Sequence, residues 1–176
     1  MSPVQLRAAG AWVRFAAMVY EGVLLFGVVF IVSYLVLGLM RWTYPLSPGP
    51  RTALQVVLFL TIGAYFVWCW RRTGQTLAMK SWHLRVVDER GALPSAGRAI
   101  ARYLAAWVMF APGLAYLLLA RPGAGEGTLA LLASFVLMFV PALLDPRNRL
   151  LQDRISGTLV VRAEGKPVPN PPASVG

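Results

Sequence analysis

Glu21 follows Arg14 by seven residues in a stretch that is otherwise apolar from Trp12 to Met40. Seven residues make nearly two helical turns, so on a helix the two charges share nearly one face and stand about 10 Å apart along its axis. Placing an ionisable group within hydrocarbon costs on the order of 3 kcal/mol, so such a residue turns inward and takes a partner. The chemistry open to Glu21 is to bind or relay a proton or a cation. Desolvation and an adjacent arginine would pull its proton affinity in opposite directions. The alternative is mechanical, a buried acid and base acting as glue between helices. Arg14 reaches Glu21 only if its long side chain extends inward, and Arg102, which opens a later apolar stretch, is the second candidate partner.

Other chemistry finds little material. One cysteine, Cys69, excludes an internal disulfide framework and a cysteine-based zinc site, and His83 stands alone. Gly74-Gln-Thr looks like a helix stop followed by polar capping atoms, without the glycine spacing and Lys-Ser/Thr ending of a phosphate loop. No nucleophile, base and acid constellation can be assembled, so the expectation is a protein that is not an enzyme and needs no metal or cofactor.

Composition names the solvent. Of 176 residues, 57% are apolar and 14% charged, too few polar groups to cover a water-soluble core. The excess of seventeen basic over seven acidic residues lies between long apolar runs, a pattern of membrane topology and not of nucleic-acid binding. Crossing about 30 Å of hydrocarbon takes about 20 residues of helix. Four stretches qualify: 12–40, 53–70, 103–120 and 128–144. The first is too long for a signal-peptide core, and Leu39-Met40-Arg41-Trp42 offers no small-residue cleavage site, so it is read as retained.

The predicted fold is an all-α membrane protein of four transmembrane helices, arranged as two helical hairpins, with a small cytoplasmic β element. Orientation follows from counting Lys and Arg near the span ends. Two in the amino tail, seven in 71–102 and five after Asp145 oppose Arg41, Arg51 and Arg121 on the other side. Both termini are therefore placed in the cytoplasm. Trp12, Trp68, Trp70 and Tyr103 fall at the inner interface, and Trp42 and Tyr44 at the outer one.

The connection after the second span differs from the short outer loops. Ser81 to Asp88 reads as a strand, Glu89-Arg90-Gly91 as a turn and Ala92-Leu-Pro as a short return strand. Ser95 is placed to cap the next helix, and Thr158 to Arg162 is a further strand candidate. Residues 1–162 form one domain, and the proline-rich 163–176 is expected to be a disordered tail. Arg14-Phe-Ala-Ala-Met lines up with Arg102-Tyr-Leu-Ala-Ala, and Leu84-Arg-Val-Val with Thr158-Leu-Val-Val, which suggests two parallel repeats.

Three segments carry a resemblance to a known family: Ala9-Gly-Ala-Trp-Val-Arg-Phe-Ala-Ala, Gly74 through Asp88, and Leu144-Asp-Pro-Arg-Asn-Arg-Leu-Leu-Gln-Asp-Arg-Ile-Ser-Gly-Thr. Together they resemble the RDD family of bacterial membrane proteins, named for one arginine and two aspartates. Carried over by position, the arginine is Arg14, the first aspartate falls on Glu21 and the second on Asp153, with Asp145 as the alternative. Glu for Asp keeps the charge but moves it out by one methylene. The resemblance implies a polytopic protein of the bacterial inner membrane, with transport or cation/proton exchange as the suggested activity. Asp153, just past the last span, is positioned to receive Arg14 or Arg102.

The expected charge network is therefore Arg14, Glu21, Asp153 and Arg102. Arg71, Arg72, Lys80 and Arg85 on the basic inner face are expected to meet anionic lipid head groups. A chain this small with four helices favours a homo-oligomer or a complex with another membrane protein. The rival to transport is a non-transporting membrane partner or assembly factor.

Overall fold

The computed structural model describes residues 9–108, 110–137 and 149–163. The disordered-tail assignment for 163–176 therefore falls, apart from Ala163, outside the described residues, as does Asp145. Two long helices come first, α1 (Ala11–Met40) and α2 (Pro48–Arg72). Arg41 ends α1 in a left-handed conformation, and Pro48 and Pro50 open α2, where a missing N–H costs nothing. At 1.5 Å per residue, α1 is about 45 Å long and α2 about 38 Å, and both are apolar enough to cross a membrane.

The third apolar stretch is not one straight rod. It begins at Ala96, just past the expected cap Ser95, and divides into α4 (Ala96–Val108) and α5 (Ala111–Ala120), bent by 41°. Pro112 accounts for the break, since its ring would strike the Val108 carbonyl and it has no N–H to continue the ladder. Together the two pieces are long enough for one span. The last apolar helix, α6 (Ala124–Leu137), returns antiparallel against α5. A Cβ on Gly113 would lie 2.7 Å from Ser134 Oγ and one on Gly127 2.5 Å from Leu117, so small residues set this close approach. The expected fourth span begins on α6, and its remainder, 138–144, lies outside the described residues.

A small polar layer closes one end. It comprises α3 (Leu77–Ser81), β1 (Leu84–Asp88), α7 (Leu151–Ser156) and β2 (Thr158–Arg162). Among the described residues the element order thus repeats as long helix, helix, short helix and strand, if α4 and α5 are taken as one rod. The predicted return strand at Ala92-Leu-Pro does not form. Asp88 instead closes a loop, its backbone N–H bonding the Ala92 carbonyl at 2.8 Å and its carboxylate accepting from the N–H groups of Arg90 and Ala92. The partner of β1 is the distant β2, antiparallel, with Leu84 opposite Arg162, Val86 opposite Val160 and Asp88 opposite Thr158.

The packed core lies where the helix ends meet this sheet. Trp70, Leu84, Val86, Ala99, Tyr103 and Val160 are buried together with Ala9 and Ala17. Ala9 N–H donates to the Val160 carbonyl at 3.0 Å and Val86 N–H to the Gly74 carbonyl at 2.7 Å, tying the start of α1 and the end of α2 to the strands. Tyr103 lies over Gly63 and donates to the Phe59 carbonyl at 2.7 Å, which fixes α4 against α2. At the opposite end, Leu35, Leu39, Leu118, Leu119 and Leu129 are exposed, as expected of surface that hydrocarbon covers.

Candidate functional site

Two separate charge clusters stand in the wall of one cavity. Its volume is about 330 Å³ and its surface is almost wholly apolar, with Met18, Leu25, Phe110 and Phe135 among its walls and Arg14, Glu21, Thr76, Arg102 and Gln152 also lining it.

The first cluster is centred on Asp153. Arg14 Nη2 donates to Oδ2 and Arg102 Nη1 to Oδ1, while the Leu150 backbone N–H donates to Oδ2 at 2.9 Å. The three side chains are buried. Arg102 also donates to Thr158 Oγ1 at 2.7 Å, Thr158 and Ser156 share a hydroxyl bond of 2.8 Å, and the Arg102 guanidinium lies 5.1 Å above the Trp70 ring. Burial alone would raise the Asp153 pKa, but Arg102 and Arg14, with the hydrogen bonds, outweigh it and hold the carboxyl below its ordinary value. One charged carboxylate thus pins α1 and α4 to α7, with β2 linked through Thr158. This arrangement is a clasp with its acceptor oxygens occupied.

The second cluster is centred on Glu21. The expected arginine partner is not there, because Arg14 and Arg102 are committed to Asp153. Tyr65 donates to Glu21 Oε1 at 2.7 Å and Thr76 donates to Oε2. Each hydroxyl meanwhile accepts from a backbone N–H, Tyr65 from Leu77 at 3.3 Å and Thr76 from Met79 at 3.2 Å. Glu21 therefore ties α1 to α2 and to the start of α3.

Sequence reasoning therefore found Arg14, Arg102, Asp153 and Glu21 but joined them into one network where the fold makes two. It missed Tyr65, Thr76 and Thr158 as partners. Only Thr76 left a signal, in the capping motif after Gly74, and its hydroxyl does cap α3. On the basic face, Arg71, Arg72 and Lys80 are exposed, whereas Arg85 is half-buried on β1 with its Cγ against Gly74. Arg98 pairs with Asp88 at 2.9 Å. Among the described residues no three of His, Cys, Asp and Glu converge as a metal site would require.

Long apolar rods, a polar layer at one end and ionised groups at their junction define a membrane protein. The RDD family model matches residues 8–157, and the chain belongs to that family. Neither curated proteins nor solved structures give a match.

Proposed function

We propose that this RDD protein is a multi-pass protein of the bacterial inner membrane, with both termini cytoplasmic, and that it is a transport component moving protons or small cations by way of Glu21. One observation carries the reading: Glu21 is a carboxylate in a cavity wall whose bonds, among the described residues, come from two hydroxyls and not from a cation. An acid neutralised by arginine has little left to offer a proton or cation, while one held by hydroxyls can exchange them. The Asp153 clasp supplies the rigid end against which this site works. The fourteen basic residues counted in the amino tail, in 71–102 and after Asp145, against three in the other loops, favour the cytoplasmic orientation and anionic lipid on that side. The small number of helices available to enclose a pathway favours assembly with a second copy or another membrane protein. The role is binding and transfer, not catalysis.

The test is flux in vesicles. Protein in liposomes under an imposed proton or sodium gradient is expected to dissipate it above protein-free vesicles, and Glu21→Gln to slow that flux on the order of tenfold or more. Equal flux in both proteins, or none above background, would remove the transport reading. A folded Glu21→Gln variant that instead drops out of a co-purified membrane complex would favour an assembly partner.

A further inference from the structure

The basic residues at the sheet end are not equivalent. Arg14, Arg98 and Arg102 each hold a carboxylate. Arg71 and Arg72 hold none among the described residues, and both are exposed in the last turn of α2. They end a stripe that runs up that helix through Val57, Leu60, Ala64 and Trp68, spaced three or four residues apart and therefore on one face. Leu60 and Trp68 are 61% and 60% exposed, so the stripe faces outward. Ala64, small between two large neighbours, leaves a recess whose walls are Val67, Trp68, Arg71 and Arg72. The Arg72 guanidinium lies 5.7 Å from the Trp68 ring, which holds its charge at the rim of the recess.

We infer that this recess is a discrete binding site for an anionic phospholipid, its phosphate held by Arg71 and Arg72 and an acyl chain lying over Ala64 and Leu60. The charge fits a phosphate, and the apolar floor fits a chain joined to it. A free phosphate ion would leave that floor empty. Trp68 suits the junction, with its amphipathic ring at the head-group level. The inference rests on the membrane orientation proposed above and sharpens its lipid partner to one place. It does not require transport, so a failed flux experiment leaves it standing, and its own failure leaves flux untouched.

The test is lipid retention by the full-length protein in detergent, read by native mass spectrometry during titration with phosphatidylglycerol or phosphatidylcholine. Wild type should retain one phosphatidylglycerol in preference to phosphatidylcholine by on the order of tenfold. Arg71→Gln with Arg72→Gln should abolish the preference. Ala64→Leu, which fills the recess and leaves every charge in place, should abolish it too. Lys80→Gln with Arg154→Gln removes the same charge from exposed positions outside the recess and should leave it intact. If both double variants lose the preference equally, or if Ala64→Leu keeps it, the attraction is diffuse and the site does not exist. All four substituted arginine and lysine positions are exposed, and an unchanged thermal midpoint verifies that the folds compared are the same.

Discussion

Asp153→Asn is expected to destabilise the folded protein by roughly 3–5 kcal/mol, the cost of breaking a buried ion pair from one side. The amide keeps the shape and loses the charge, so the buried guanidinium groups of Arg14 and Arg102 lose the carboxylate they share. The effect should spread, because that carboxylate connects the first helix, the bent third rod and the segment leading into β2. Equilibrium unfolding in mixed detergent micelles measures it, and a loss below about 1 kcal/mol would mean that the arginines relax into other contacts. The same clasp sets an acid limit. The Asp153 carboxyl has a folded-state pKa below its ordinary value, so its contribution is fully present above the unfolded carboxylate pKa of about 3.9. The contribution then declines as the pH falls from there through the lower folded-state value. Stability should hold at neutral pH and drop in strong acid, and Asp153→Asn should lack that part of the drop.

Gly74→Ala is expected to cost at least about 2 kcal/mol, from left-handed backbone strain and overpacking together. Gly74 has a φ of 71°, and an added Cβ would come within 2.7 Å of the Val86 carbonyl oxygen. That oxygen cannot turn aside, since it belongs to the strand whose Val86 N–H bonds Gly74 in return. Gly157 provides the comparison: its φ is 59°, but open space surrounds the added atom. Gly157→Ala should therefore show strain alone, about 1 kcal/mol. Unfolding midpoints of the two variants measured side by side give the difference, and equal losses would contradict the proposed crowding at Gly74.

The elements most legible in the sequence were those decided by local, repetitive physics. Nineteen uncharged residues from Gly22 to Met40 leave no alternative to a long apolar helix, and the spacing around Thr76 announces a cap. Strand pairing was not legible. The strand read over Ser81 to Asp88 forms only from Leu84, because α3 runs through Ser81, and its residues say nothing about whether the partner follows at once or comes seventy residues later. Pro94 and the Asp88 loop closed the nearer choice. The charged site was legible in part: Asp153 is positioned in the sequence to receive Arg14 or Arg102 and receives both, whereas the arginine expected beside Glu21 is replaced by hydroxyls. The expectation that a buried acid takes a cation offers the two arginines to Glu21 as well as to Asp153. Hydroxyls satisfy a carboxylate as well, and Tyr65 and Thr76 come from 44 and 55 residues away in the chain. The arginines are both taken by Asp153, which α7 places within reach of α1 and α4.

The division of labour between the two acids can be tested on the intact protein with an apolar carbodiimide, which modifies carboxyl groups that can take up a proton within or beside hydrocarbon. After treatment of protein in liposomes, peptide mass spectrometry should find the adduct on Glu21, which has no cationic partner among the described residues and borders the cavity, and not on Asp153, which two arginines keep charged. An adduct on Asp153 with Glu21 untouched would reverse the assignment and contradict the account.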